Sequence, residues 1–333
     1  MTGLHTGAEV AQDDRAGVGS LVSARFPGVR LESNIQGWAF LEEFENGIRA
    51  FTEIPNPTPK DERWAGVCYF QNLQDMEALE LLFRAVNRGE EGARVYLAHV
   101  LPFVERRDDA LRELAQVDLS SLNNYDTALY YRILSMSEEA TGNLREALKA
   151  AESAWRLIQG VPEYEVLAPS ILVQLAVLYG RIGRSQRALW FLERGLVGTT
   201  GAEHAKVRLR RAAVLINLGR FLEAQLELDA FDVETAPTSL LAERNWLLGE
   251  IAWASNSMNQ AIQRYQAAID LATELQFAYE EFLCRLPLVC ILGARGDLSE
   301  AFDHLMRAQT LITDKSDRLT FRFREVLLNY WAK

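Results

Sequence analysis

The chain has 333 residues, a formal net charge of -11 and only 9 prolines. A chain this long buries a large core and would ordinarily divide into two or three globular domains unless it is a repeat array, and its dominance by Ala, Leu, Glu and Arg points to an all-helical array. The acidic balance argues against a protein that grips nucleic acid by its phosphates, since that needs a basic surface to release counterions, and is read instead as solubility.

Residues 1–30 mix Gly, Asp, Ala and Thr without a strong period and are expected to be a mobile N-terminal segment with a short helix around Leu21 to Phe26. The N-terminus lacks a basic start followed by an apolar core, and no apolar run approaches membrane-spanning length, so a soluble, cytoplasmic protein is expected. Residues 31–58 predict one helix and a turn. Ser33 or Asn34 caps a stripe of Phe40, Leu41, Phe44, Ile48 and Phe51, and Pro55 stops it. In the stiff run that follows, Thr58 caps, Pro59 occupies the first turn, and Asp61 supplies an acid near the helix start.

From there the chain repeats. Ala78, Ala110, Ala147, Ala188, Ala224, Ala261 and Ala301 are separated by 32, 37, 41, 36, 37 and 40 residues. Four residues after each stands Leu82, Leu114, Ala151, Leu192, Leu228, Tyr265 or Leu305. Twelve residues before come Gly66, Ala98, Ser135, Ala176, Ala212 and Gly249, with Val289 the exception. Five residues before stand Gly142, Gly183, Gly219, Asn256 and Gly296, while the first two copies have Leu73 and Glu105. Small residues let paired helices approach closely, and glycine supplies a left-handed turn between them. One hairpin cannot bury its own apolar face, so neighbours must stack. Pro102, Pro169 and Pro287 fall within first helices and should kink them or mark their true starts.

These columns resemble the tetratricopeptide repeat family over residues 59–312, about seven hairpins, with spacings like the lengthened repeats of bacterial regulators. The resemblance implies an all-α, right-handed superhelical solenoid of antiparallel helix pairs, with a concave groove that binds peptides or helices of other proteins. Residues 313–333, with Leu319, Phe323, Val326, Leu327 and Tyr330 in one stripe, read as a C-terminal capping helix.

Chemistry-bearing motifs are scarce. The chain carries no phosphate loop, HExxH, EF-hand loop or CxxC pair, and its four histidines are scattered, so no metal, cofactor or enzymatic activity is expected. Cys68, Cys284 and Cys290 read as buried small hydrophobes. Lys206, Arg208, Arg210 and Arg211 read as a solvated face paired with acids. One constellation stands apart. Glu243, Trp246, Glu250 and Trp253, spaced 3, 4 and 3, form one stripe opposite Leu241, Leu248, Gly249 and Ala252. If the family geometry holds, that stripe lines the groove, with Arg63, His99, Arg132, Arg181, Lys206 and Asn217 joining from other hairpins. Packing of both tryptophans on a neighbouring helix is the alternative. The resulting expectation is a non-enzymatic scaffold for a protein or peptide partner, with a ligand-responsive sensor or regulatory module as the alternative. Neither a nucleic-acid nor a membrane partner is expected, and an unsatisfied end of the array offers a route to a homodimer.

Overall fold

The computed structural model describes residues 17–313, apart from 27, 73, 105, 162–165, 198, 200, 235 and 276. Among them every α or β element is a helix. The chain divides into two compact units, Met1–Gly183 and Arg184–Lys333.

The first unit opens with α1, residues 17–25, whose Val18 and Val22 are buried. The single helix anticipated across 34–54 is two: α2 (Asn34–Phe40) and α3 (Phe44–Thr52), separated by a turn in which Glu42 takes a left-handed φ of 62. Neither Gly nor Pro stands at 41–43 to signal the break. Tertiary packing imposes it by burying Ile35 and Phe40, the latter edge-on to Trp64 at 5.4 Å. Ser33 caps α2, its side chain accepting from the Ile35 amide.

Helix α4 (Pro59–Gln71) starts where the residues demand. Thr58 Oγ1 accepts from the Asp61 amide, Asp61 accepts from the Thr58 amide, and Pro59 fills the first position. Then follow α5 (Asp75–Asn87), α6 (Glu91–Val100), α7 (Arg107–Ala115), α8 (Asn124–Ala140), α9 (Leu144–Ile158) and α10 (Ala168–Arg181). Pro102 ends α6 in a 3-10 turn, and Pro169 marks the start of α10.

The second unit comprises α11 (Ser185–Leu196), α12 (Gly201–Asn217), α13 (Phe221–Asp229), α14 (Thr238–Ala254), α15 (Met258–Glu274), α16 (Ala278–Arg295) and α17 (Leu298–Thr313). Pro287 lies inside α16. The stripe expected to cap the C-terminus, residues 319–330, lies outside the described residues.

The repeat columns are packing positions. All seven column alanines are at most 7% exposed. The small column and the large column are two sides of one contact. A Cβ built on Gly66 would stand 2.9 Å from Leu82, and one on Gly249 would stand 2.7 Å from the ring of Tyr265. In the turn column Gly142, Gly183, Gly219, Gly296 and Asn256 all take positive φ, from 59 to 88. Leu73 and Glu105 fall outside the described residues. One cysteine departs from expectation: Cys68 and Cys284 are buried, but Cys290 is exposed. Six residues from Cys284 along α16, it turns away from the core that Cys284, Leu288 and Ile291 share.

Candidate functional site

In the second unit α12 and α14, the first helices of two successive hairpins, pack against each other. Along α14 the anticipated packing residues Leu248, Gly249 and Ala252 are buried. The stripe on the other side, Glu243, Trp246, Glu250 and Trp253, is half-buried throughout. Trp246 packs against two hydrophobic clusters, one built around Leu209, Leu228 and Leu247 and the other around Ala261, Tyr265 and Leu288; Trp253 joins the second. Core packing therefore claims part of each ring. The Trp246 indole nitrogen is buried without a hydrogen-bond partner, a cost of about 1–3 kcal/mol.

The two carboxylates are engaged from different sides. Glu243 lies 2.8 Å from Arg210 on α12, and Glu250 accepts a 2.8 Å bond from the Tyr265 hydroxyl on α15. Each basic residue of α12 has an acidic neighbour: Lys206 meets Glu203, Arg208 and Arg211 share Glu227, and Arg210 takes Glu243. Asn217 is exposed near the end of α12.

The first unit corrects the anticipated set. Arg63 occupies the same repeat position as Trp246, fifteen residues before the column alanine, yet it is 0% exposed and lines no open surface. Its guanidinium clasps Asp126 of α8 through both terminal nitrogens, lies 3.1 Å from Glu90 and 3.7 Å from Glu32, and sits over the Trp64 and Tyr96 rings at 4.7 and 5.3 Å. Burial alone would lower its pKa, but Asp126, Tyr96 and Glu90 reverse that and hold it well above its ordinary value. Burial raises the Asp126 carboxyl, with Arg63 pulling against it. Gly92 on α6 makes the room, since a Cβ there would collide with the guanidinium.

The chain closes this face with its own N-terminal region. Glu32 reaches Lys60 at 3.1 Å and Asn123 at 3.4 Å, while Phe40 contacts Trp64 at 5.4 Å and Tyr125 at 5.6 Å. Among the other residues assigned to the first unit, His99 stacks edge-on to Phe70 at 5.3 Å. Arg181 pairs with Glu139 at 3.1 Å, and Arg132 is half-buried with its Nε atom inside. Sequence reasoning missed Asp126, the counterion of Arg63; a column placement that shows which face an arginine takes cannot say what lies opposite it 63 residues away.

A second ionic cluster was also not anticipated. Glu281 on α16 is 3% exposed and lies 2.8 Å from Arg285 and 2.9 Å from Arg307 of α17, while Arg285 stands 2.9 Å from His304 Nδ1. Burial opposes ionisation of Glu281, but the two arginines hold its carboxyl below the usual range. Burial, then Arg285, lowers the His304 pKa. The buried thiols are inert at neutral pH: burial pushes Cys68 up to about 12 and raises Cys284 further. Among the described residues no group of three or more His, Cys, Asp or Glu could hold a metal ion, and no helix is long and apolar enough to cross a membrane.

No protein-family model and no curated protein matches the chain. Solved structures do. The Rap protein complexed with competence and sporulation factor gives a TM-score of 0.62 at 17% identity, covering 86% of this chain and 79% of that one. The APC/C hetero-tetramer Cut9-Hcn1 gives 0.60 at 15% identity, covering 79% of this chain and 50% of that one. The human IFIT1 dimer with PPP-AAAA gives 0.58 at 13% identity, covering 89% and 77%. Identities this low carry the fold and nothing finer. With the buried alanine column, the left-handed turn column and these likenesses, the chain is an all-α solenoid of tetratricopeptide-like helix hairpins.

Proposed function

We propose that this chain is a non-enzymatic interaction scaffold that holds a peptide or helix of a protein partner against the first-helix face of its second unit, along α12 and α14. One observation carries the reading. In the first unit the corresponding face is occupied by Glu32 and Phe40 of the same chain, whereas in the second Trp246 and Trp253 are half-buried in one stripe with Glu243 and Glu250. Half-covered indoles beside carboxylates suit a basic or apolar peptide, through stacking and charge-assisted hydrogen bonds. A cationic partner residue would share Glu243 with Arg210. The same reading places the protein in the cytoplasm and assigns it neither a nucleic-acid nor a membrane partner.

The shared fold with the Rap protein, whose structure is a complex with competence and sporulation factor, supports a second reading. In it the chain is a peptide-responsive regulatory module whose two units answer to a bound ligand.

A peptide array probed with the full chain, followed by calorimetry on the hits, tests both. Trp253→Ala and Glu243→Gln should each weaken binding about tenfold or more while the melting temperature stays within about 2 °C of the parent. Binding that both variants leave intact, or an array without a single hit, sinks the assignment of this face. A single peptide that stabilises the chain far beyond all others would favour the regulatory reading.

A further inference from the structure

Helices α11 and α13, the second helices of two successive hairpins, carry apolar side chains where the other copies are polar. Two residues after the column alanine stand Glu80, Arg112, Lys149, Gln263 and Asp303 in five hairpins, but Trp190 and Leu226 in these two. That position lies on the side of the helix away from the buried alanine, and the two side chains are 47% and 67% exposed. Leu222, one turn before Leu226, is 85% exposed. Trp190 is held at the surface, with the Arg194 guanidinium over its ring at 5.0 Å and Phe191 edge-on at 4.8 Å. Arg211 of α12 reaches Glu193 of α11 at 3.5 Å and Glu227 of α13 at 2.7 Å, so both second helices flank α12 on one side. An outward indole and outward leucines on two neighbouring helices make a patch of the kind that marks an interface.

We infer that this lateral face, and not an end of the array, joins two copies of the chain in an isologous dimer, with α11 of one copy lying along α13 of the other. Charge selects the occupant. Helix α11 carries Arg187 and Arg194 against Glu193, whereas α13 carries Glu223, Glu227 and Asp229 and no base. The basic half is a departure from the repeat: one residue before the column alanine stand Glu77, Asp109, Glu146, Glu223, Gln260 and Glu300, and only α11 has an arginine there. A partner of one charge sign would therefore suit one helix and repel the other, while a second copy suits both. A two-fold axis running along the helices sets equal repeat positions opposite each other. Trp190 then meets Leu226 of the second copy, Arg187 meets Glu223, and Arg194 comes within one position of Asp229, each contact being made twice. Arg187, Arg194, Glu223 and Asp229 are all exposed. The two charges of the opposite sign are engaged within their own copy, Glu193 by Arg211 and Arg220 by Glu223.

Sedimentation velocity of the full chain at about 100 μM should give twice the monomer mass. Trp190→Lys should weaken the dimer about tenfold or more. Arg187→Glu and Glu223→Arg should each do the same, because each sets like charges opposite one another at both contacts. Mixed one to one, these two charge variants should recover a dimer, since opposite charges then meet at both contacts, with the circular dichroism of each chain unchanged. Three results overturn the inference. A full chain that stays monomeric at this concentration gives the face to a different protein. A dimer that ignores all three substitutions is built on some other surface. Charge variants that stay monomeric when mixed rule out the pairing of α11 with α13. If Glu223→Arg fails to fold, Arg194→Glu and Asp229→Lys take its place in the mixing test. Failure of the peptide array leaves this test untouched, because the two use different faces.

Discussion

Gly249→Ala probes the contact on which the repeat rests. The added methyl would stand 2.7, 2.8 and 3.0 Å from three ring atoms of Tyr265, which real Cβ atoms avoid. The ring cannot swing away: Tyr265 is 0% exposed, and its hydroxyl is bonded to Glu250 at 2.8 Å. Overpacking of this kind costs about 1–3 kcal/mol, while Ala for Gly in a helix interior returns roughly 0.5–1 kcal/mol. A net loss of about 0–2.5 kcal/mol remains. Other hairpins carry a matched pair in the same two columns, where Ala98, Ala176 and Ala212 accompany Leu114, Leu192 and Leu228. Gly249→Ala/Tyr265→Leu should thus be more stable than the sum of its single variants by about 1–2 kcal/mol. Urea unfolding of the four proteins, followed by circular dichroism, measures the cycle. A Gly249→Ala chain more stable than the parent, or a strictly additive double variant, would refute the close-packing account of the columns.

The remaining predictions use the same kind of measurement. Asp126→Asn removes the charge that the buried Arg63 guanidinium clasps, leaving Glu90 at 3.1 Å and Glu32 at 3.7 Å as the carboxylates beside it among the described residues, and should lower stability by about 3–5 kcal/mol in denaturant unfolding; a loss under 1 kcal/mol would mean that the ion pair is not confined as described. Because burial and Arg285 depress the His304 pKa, the folded chain resists a proton that the unfolded chain accepts. Stability is therefore full above the ordinary histidine pKa of about 6.5 and falls as pH drops through that value toward the lower folded one, and thermal melts of His304→Gln should show a shallower slope there. Asn256 holds a φ of 59, so Asn256→Ala should cost about 1–2 kcal/mol while Asn256→Gly stays within a few tenths, read from the same urea transitions.

How much of this was legible beforehand differs from residue to residue. Ala147, Gly183 and Thr58 act through neighbours close in the chain, by helix pairing, a left-handed turn and a cap, so period and residue type sufficed to place them. The composition and the columns determined an all-α array of hairpins. Tertiary packing decided the rest. It broke the N-terminal helix at Glu42, turned Cys290 outward, and set the unit boundary at Gly183. It also sent Arg63 inward and left Trp246 half-covered at the same repeat position, because Asp126 and Glu32 stand opposite the first and Arg210 beside the second's neighbour Glu243. A column tells which way a side chain leaves its own helix. Only the folded chain says which charge or ring is waiting there, since that partner comes from elsewhere in the sequence and obeys no local period.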